Sequence, residues 1–100
     1  MNNIKLVSFL VLLVGCVSES PQTQFESLLD SEWSKIINDN PIYASSMGDL
    51  SRNTEWSDTS IEKIYLDHQH QLEIFNQLDA LDINDFTEDN KVNYALFKQQ

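Results

Sequence analysis

The stretch Thr23-Gln-Phe-Glu-Ser-Leu-Leu-Asp-Ser-Glu-Trp-Ser-Lys-Ile-Ile-Asn-Asp-Asn-Pro41 decides the fold class. Its apolar residues fall at Phe25, Leu28, Leu29, Trp33, Ile36 and Ile37. Steps of three and four along a chain repeat one face of a 3.6-residue helix. Glu26, Ser27, Asp30, Ser34 and Lys35 occupy the other face. Thr23 and Glu26 have capping-box spacing, so the helix is expected to start near Thr23. It ends by Asn40, because Pro41 disfavours helical backbone in the residue before it.

The same logic extends towards the C-terminus. Asn40-Pro41 restarts a short helix, with Asn as cap and Pro in the first turn. Ile42, Tyr43 and Met47 are its apolar content, and Gly48 is a natural stop. Residues 49–58 read as a polar loop whose Trp56 tucks onto the helices. A second long helix is expected from about Ser57–Ser60 to Leu81, capped by Ser57 or Thr59. Its apolar stripe is Ile61, Tyr65, His68, Leu72, Phe75 and Leu78, with Ile64 and Leu81 at the edge. Residues 82–86 form an acidic turn. Thr87 caps a last helix with Glu88 and Asp89 at its positive end. Val92, Ala95, Leu96 and Gln99 make its inner face, with Tyr94 and Phe97 beside it. The fold class is therefore all-α, an antiparallel helical hairpin or bundle segment. Phe97-Lys98-Gln99-Gln100 carries no stop signal, so the chain is expected to be the N-terminal part of a larger, mostly helical protein. A C-terminal helix that simply frays is the other reading.

Towards the N-terminus, Lys5 precedes an apolar run from Leu6 to Val14, broken only by Ser8. This is the layout of an export signal over residues 1–15, too short for a spanning anchor. The run ends Leu13-Val14-Gly15-Cys16. That tetrapeptide resembles the lipobox of bacterial lipoproteins, which are cut before the Cys and carry lipid on it. Cys16 is thus the expected lipid-attachment residue and the bilayer the expected partner. An ordinary buried Cys is the alternative. Val17 is not Asp, which implies outer-membrane delivery where enteric-like sorting applies. Residues 16–24 read as a lipidated tether and 25–100 as the helical segment.

With 100 residues the chain is one small domain or a piece of one, and it buries only about 60% of its unfolded surface. Its 16 acidic and 6 basic residues give a net charge of −10. Nucleic acid is excluded as a partner, since phosphate binding needs clustered Lys and Arg. One Cys excludes an intrachain disulfide and a Cys-based zinc cluster. His68 and His70 point about 200° apart on a helix and cannot share a metal. His68 lies on the apolar stripe and reads as a core or interface residue; His70 reads as solvated, with Asp67 and Glu73 three residues either side. Asp79, Asp82, Asp85, Glu88 and Asp89 cluster around a turn without the order of a calcium loop. Trp33, Trp56 and Phe75 read as core, with a ligand groove as the alternative. No Ser-His-Asp arrangement, phosphate loop or H-E-x-x-H is present, so no catalytic residue and no metal ligand is assigned.

Two motifs carry a resemblance. After Leu28-Leu29-Asp30-Ser-Glu32-Trp33 comes Asn40-Pro41-Ile-Tyr-Ala44-Ser-Ser-Met-Gly48-Asp49; after Trp56-Ser57 and the long helix comes Phe86-Thr87-Glu-Asp-Asn-Lys-Val-Asn93-Tyr94-Ala-Leu96-Phe97. In order and spacing they resemble the N-terminal start of the bacterial family called domain of unknown function 885, over about Phe25 to Gln100. The resemblance implies an exported, mostly helical, zinc-metallopeptidase-like hydrolase of the cell envelope. Its H-E-x-x-H motif, zinc and catalytic part would lie beyond residue 100. Tyr43 and Trp56 are the residues expected to face a peptide substrate. The alternative is a complete small acidic helical lipoprotein acting as a binding or structural module.

Overall fold

The computed structural model describes residues 17–100. The expected export signal and Cys16 lie outside them. The described chain is all-helical: α1 (Pro21–Asp39), α2 (Pro41–Ser46), α3 (Ile61–Asp79) and α4 (Glu88–Lys98), with no strand. None of these helices is long and apolar enough to cross a membrane.

Helix α1 starts earlier than the Thr23–Glu26 spacing predicts. Ser20 is the cap, its hydroxyl accepting from the Thr23 N–H at 3.2 Å, and Pro21 takes the first helical position. Proline suits that place because its missing N–H would find no helical partner there. Glu26 serves α4 instead, accepting from Asn90 Nδ2 at 2.8 Å. The expected tether shortens accordingly, since its last four residues are helical.

Asn40 leaves the helical region at φ −124°, ψ 76°, as Pro41 requires. Its backbone N–H and its Nδ2 both donate to the Ile36 carbonyl, at 3.1 and 2.8 Å. Asn40 therefore closes α1 and makes no side-chain cap on α2. Arg52 adds a cation at the same helix end, Nη1 donating to Asn38 O and Oδ1. At the end of α2, Gly48 has φ +100°. The Asp49 N–H returns to Ala44 O and the Gly48 N–H to Ser45 O, the two bonds of a Schellman stop.

The core gathers at one end of the molecule. Phe25, Ile74, Leu78, Phe86 and Tyr94 are buried together, with Leu28, Leu29, Leu81, Ile83 and Phe97 packed around them. Phe25 sits 5.4 Å from Phe86 and 5.8 Å from Tyr94, ring centre to ring centre. The Tyr94 hydroxyl donates to Leu78 O at 2.9 Å, satisfying a carbonyl in the last turn of α3. Thr87 caps α4 as its sequence suggests, accepting from the Asn90 N–H.

At the other end α1 and α3 meet through two lysine–aspartate pairs and a histidine–glutamate hydrogen bond. Lys63 Nζ lies 2.9 Å from Asp39, Lys35 Nζ 3.0 Å from Asp67, and His70 Nε2 2.6 Å from Glu32. As the α1 number falls the α3 number rises by the same amount, so along this contact the two helices run in opposite directions.

This register corrects the sequence reading of α3. The face turned to α1 carries Lys63, Asp67, His70, Ile74 and Leu78. The expected apolar stripe faces outwards: Ile61 is 86% exposed, Tyr65 63%, Leu72 and Phe75 47% each. Of the six stripe positions only Leu78 is buried. Apolar count alone favoured the wrong face; Ile74 and Leu78 pack inwards because Phe25 and Tyr94 are there to receive them. Helix α4 shows the same inversion. Val92 and Leu96 stand in solvent while Tyr94 is buried and Phe97 half-buried. Trp56 does not tuck onto the helices but is 82% exposed.

Candidate functional site

A cleft of about 590 Å³ opens between the second half of α1, α3 and the end of α4. Ile36, Leu72, Phe75 and Phe97 supply its apolar surface. Lys98 lies 5.2 Å above the Phe75 ring and donates to Asp79 at 2.8 Å, so the cation covers the aromatic face at one end.

Its charged wall is built by a repeated spacing. Lys35 and Asp39 are four apart on α1; Lys63 and Asp67 are four apart on α3. Antiparallel pairing brings the two Lys-x-x-x-Asp units face to face. Each lysine then bonds both aspartates. The Lys35 ammonium, then Lys63, holds the Asp39 carboxyl below its ordinary 3.8; Lys63, then Lys35, does the same for Asp67. In return, hydrogen bonds to Asp39 and Asp67 raise Lys35 and Lys63 above their ordinary 10.5. Both carboxylates are thus fixed as anions, the opposite of what a general acid needs at neutral pH.

Stability follows with a definite sign. Depressed carboxyls stabilise the fold above their ordinary value and lose that contribution as pH falls through the lower folded value. Raised lysines stabilise below 10.5 and lose it as pH rises through the folded value. Asp39→Asn is expected to cost about 1 kcal/mol, discounted for partial exposure. In urea unfolding the cost should be flat between about pH 5 and 9 and fade as pH falls below 3.8 through the lower folded value. A deficit that persists at acid pH would show that Asp39 acts through packing.

The other candidate residues are dispersed. Tyr43 packs edge-on to Trp33 of α1 at 6.2 Å and 80°, and does not line the cleft. Trp56 projects from the loop and does not line it either, although Ser57 and Asp58 do. The two histidines exchange their expected roles. His68 is exposed at the cleft rim, and His70 turns inwards to Glu32. In the acidic turn, Asp82 accepts from Asn84 N–H and Nδ2, holding the turn itself. Among the described residues no three His, Cys, Asp or Glu side chains are placed to hold one metal. The arrangement offers binding surface, apolar within and charged at the edge. Sequence reasoning missed the ion quartet, yet its signal was the duplicated Lys-x-x-x-Asp unit on two neighbouring helices. Compared with known proteins, the chain matches no family model, no curated protein and no solved structure.

Proposed function

We propose that the chain is the N-terminal helical portion of an exported, lipid-anchored, zinc-metallopeptidase-like protein whose catalytic part lies beyond residue 100. The observation that carries the reading is where the two motifs fall. Pro41 and Ala44 are buried, and Gly48 takes the positive φ that ends α2. Thr87 caps α4, and Tyr94 joins the core. These five motif residues are ones that α2, α4 and the core use, and that is what supports the reading. Within this portion the described residues supply binding surface rather than chemistry. The same cleft also supports the second reading, a small acidic helical lipoprotein that acts as a binding module.

The intact mass of the mature protein from native membranes separates the two. The expected result is a lipid-bearing mass several-fold above 11.6 kDa, with peptide hydrolysis that a zinc chelator abolishes and zinc restores. A lipid-bearing mass close to that of the present chain would overturn the peptidase reading and leave the binding module.

A further inference from the structure

The outer stripe of α3 is apolar on either side of His68 and largely exposed among the described residues, with Lys98 over the Phe75 ring at its C-terminal end. Ile61, Ile64, Tyr65, Leu72 and Phe75 are each 47–86% exposed. From Ile61 to Phe75 the stripe is about 21 Å long, four helical turns. It continues at its C-terminal end into the cleft through Leu72, Phe75 and Phe97. An exposed strip of this length, apolar on either side of His68, marks a docking surface on a small body.

Charge says what docks there. Every described lysine and arginine is already paired: Lys35 and Lys63 in the quartet, Arg52 with Glu55, Lys91 with Glu88 and Lys98 with Asp79. The carboxylates beside the stripe are in the opposite state. Glu62 and Glu73 follow it along one edge, exposed, and neither takes part in a hydrogen bond or ion pair among the described residues. Asp58 sits just before its N-terminal end, also without an ion pair. Apolar centre and anionic rim are complementary to a helix with an apolar stripe and basic flanks.

A second copy fits less well. Antiparallel self-pairing about His68 would set Ile61 against Phe75 and Ile64 against Leu72. It would also bring Glu62 close to Glu73 of the second copy, between bodies that each carry −10. Like charges across an interface oppose association.

We propose that the outer stripe of α3 captures cationic amphipathic helical peptides, with Leu72 and Phe75 as apolar anchors and Glu62 and Glu73 as the anionic rim. The inference goes beyond the peptidase reading and does not depend on it; under that reading such peptides are the class of substrate delivered to the catalytic part.

The test uses the full mature protein, held on nanodiscs by its own anchor where it carries one. The probes are two labelled synthetic helices of roughly 18 residues, enough to span the stripe, both with a leucine stripe, one with lysine flanks and one with glutamate flanks. The lysine peptide is expected to bind at least about tenfold tighter than the glutamate peptide. Leu72→Ser with Phe75→Ser should weaken it about tenfold through lost apolar burial. Glu62→Gln with Glu73→Gln should weaken it severalfold and flatten its salt dependence. Binding that survives Leu72→Ser with Phe75→Ser would overturn the proposal as diffuse attraction to an acidic protein. So would no binding at all. A concentration-dependent doubling of mass lost in the same double variant would assign the stripe to a second copy instead. Binding of empty zwitterionic vesicles lost in that variant would assign it to the bilayer. Chelator-insensitive binding of the lysine peptide supports capture even if no peptide is ever cleaved, so the two readings fail separately.

Discussion

Replacing Phe25 with alanine is expected to unfold the helical body at room temperature. Phe25 is fully buried, and it is the one α1 residue in the buried cluster that joins α3 to α4. Its ring touches Phe86 and Tyr94, whose own rings lie 6.2 Å apart. Truncating a buried phenylalanine typically costs about 3–5 kcal/mol, the lost transfer energy plus the cavity left behind. Ordinary domains hold only about 5–15 kcal/mol, and a body with so few buried side chains belongs at the low end. The loss therefore approaches the whole stability. Phe25→Leu keeps most of the volume and should cost less, about 1–2 kcal/mol. Trp33→Ala provides the comparison: Trp33 is larger but 48% exposed and outside the cluster, so its cost should stay near 1 kcal/mol. Thermal unfolding followed by circular dichroism reads all three. If Phe25→Ala melts within a few degrees of the native chain, the core is not where the aromatic cluster places it.

The three substitutions also mark what the sequence makes legible. Helix ends are local chemistry, so they can be read from a few residues. Pro41 forbids α1 from continuing, Gly48 permits the only positive φ among the described residues, and the Thr87 hydroxyl finds an N–H donor three residues on, at Asn90. Even there Ser20 outcompetes Thr23, because Pro21 beside it favours the earlier start. Which face of a helix turns inwards is not local. Helix α3 carries two candidate faces, one rich in apolar residues from Ile61 to Phe75 and one led by Lys63 and Asp67. Counting hydrophobes selects the first. The fold uses the second, because Lys63 and Asp67 find Asp39 and Lys35 on α1, and Ile74 and Leu78 find Phe25. A stripe read from one helix has no knowledge of the partner that decides its direction. The same deficit explains Trp56, which reads as a residue in need of cover and is placed in solvent, and His68 and His70, whose roles depend on where Glu32 lies.

Cys16→Ala is expected to abolish incorporation of labelled fatty acid and to remove the lipid increment from the intact mass. Cys16 lies outside the described residues, and reach and energy decide what a lipid there would do. Residues 17–20 are non-helical and α1 begins at Pro21, which leaves a tether of at most about 14 Å. A lipid on Cys16 would hold the first turn of α1 close to the headgroups. At about 0.8 kcal/mol per buried methylene, one acyl chain anchors only reversibly, whereas two or more anchor firmly. None of that energy is shared with the helical core, because the residue is on the far side of the tether from the Ser20 cap. The thermal transition of Cys16→Ala should therefore match that of the native chain while its lipid is gone, the reverse of Phe25→Ala. Retained fatty-acid label in Cys16→Ala would place the attachment elsewhere and refute the lipobox. A native chain that takes up no label would reduce Gly15-Cys16 to the end of an ordinary signal.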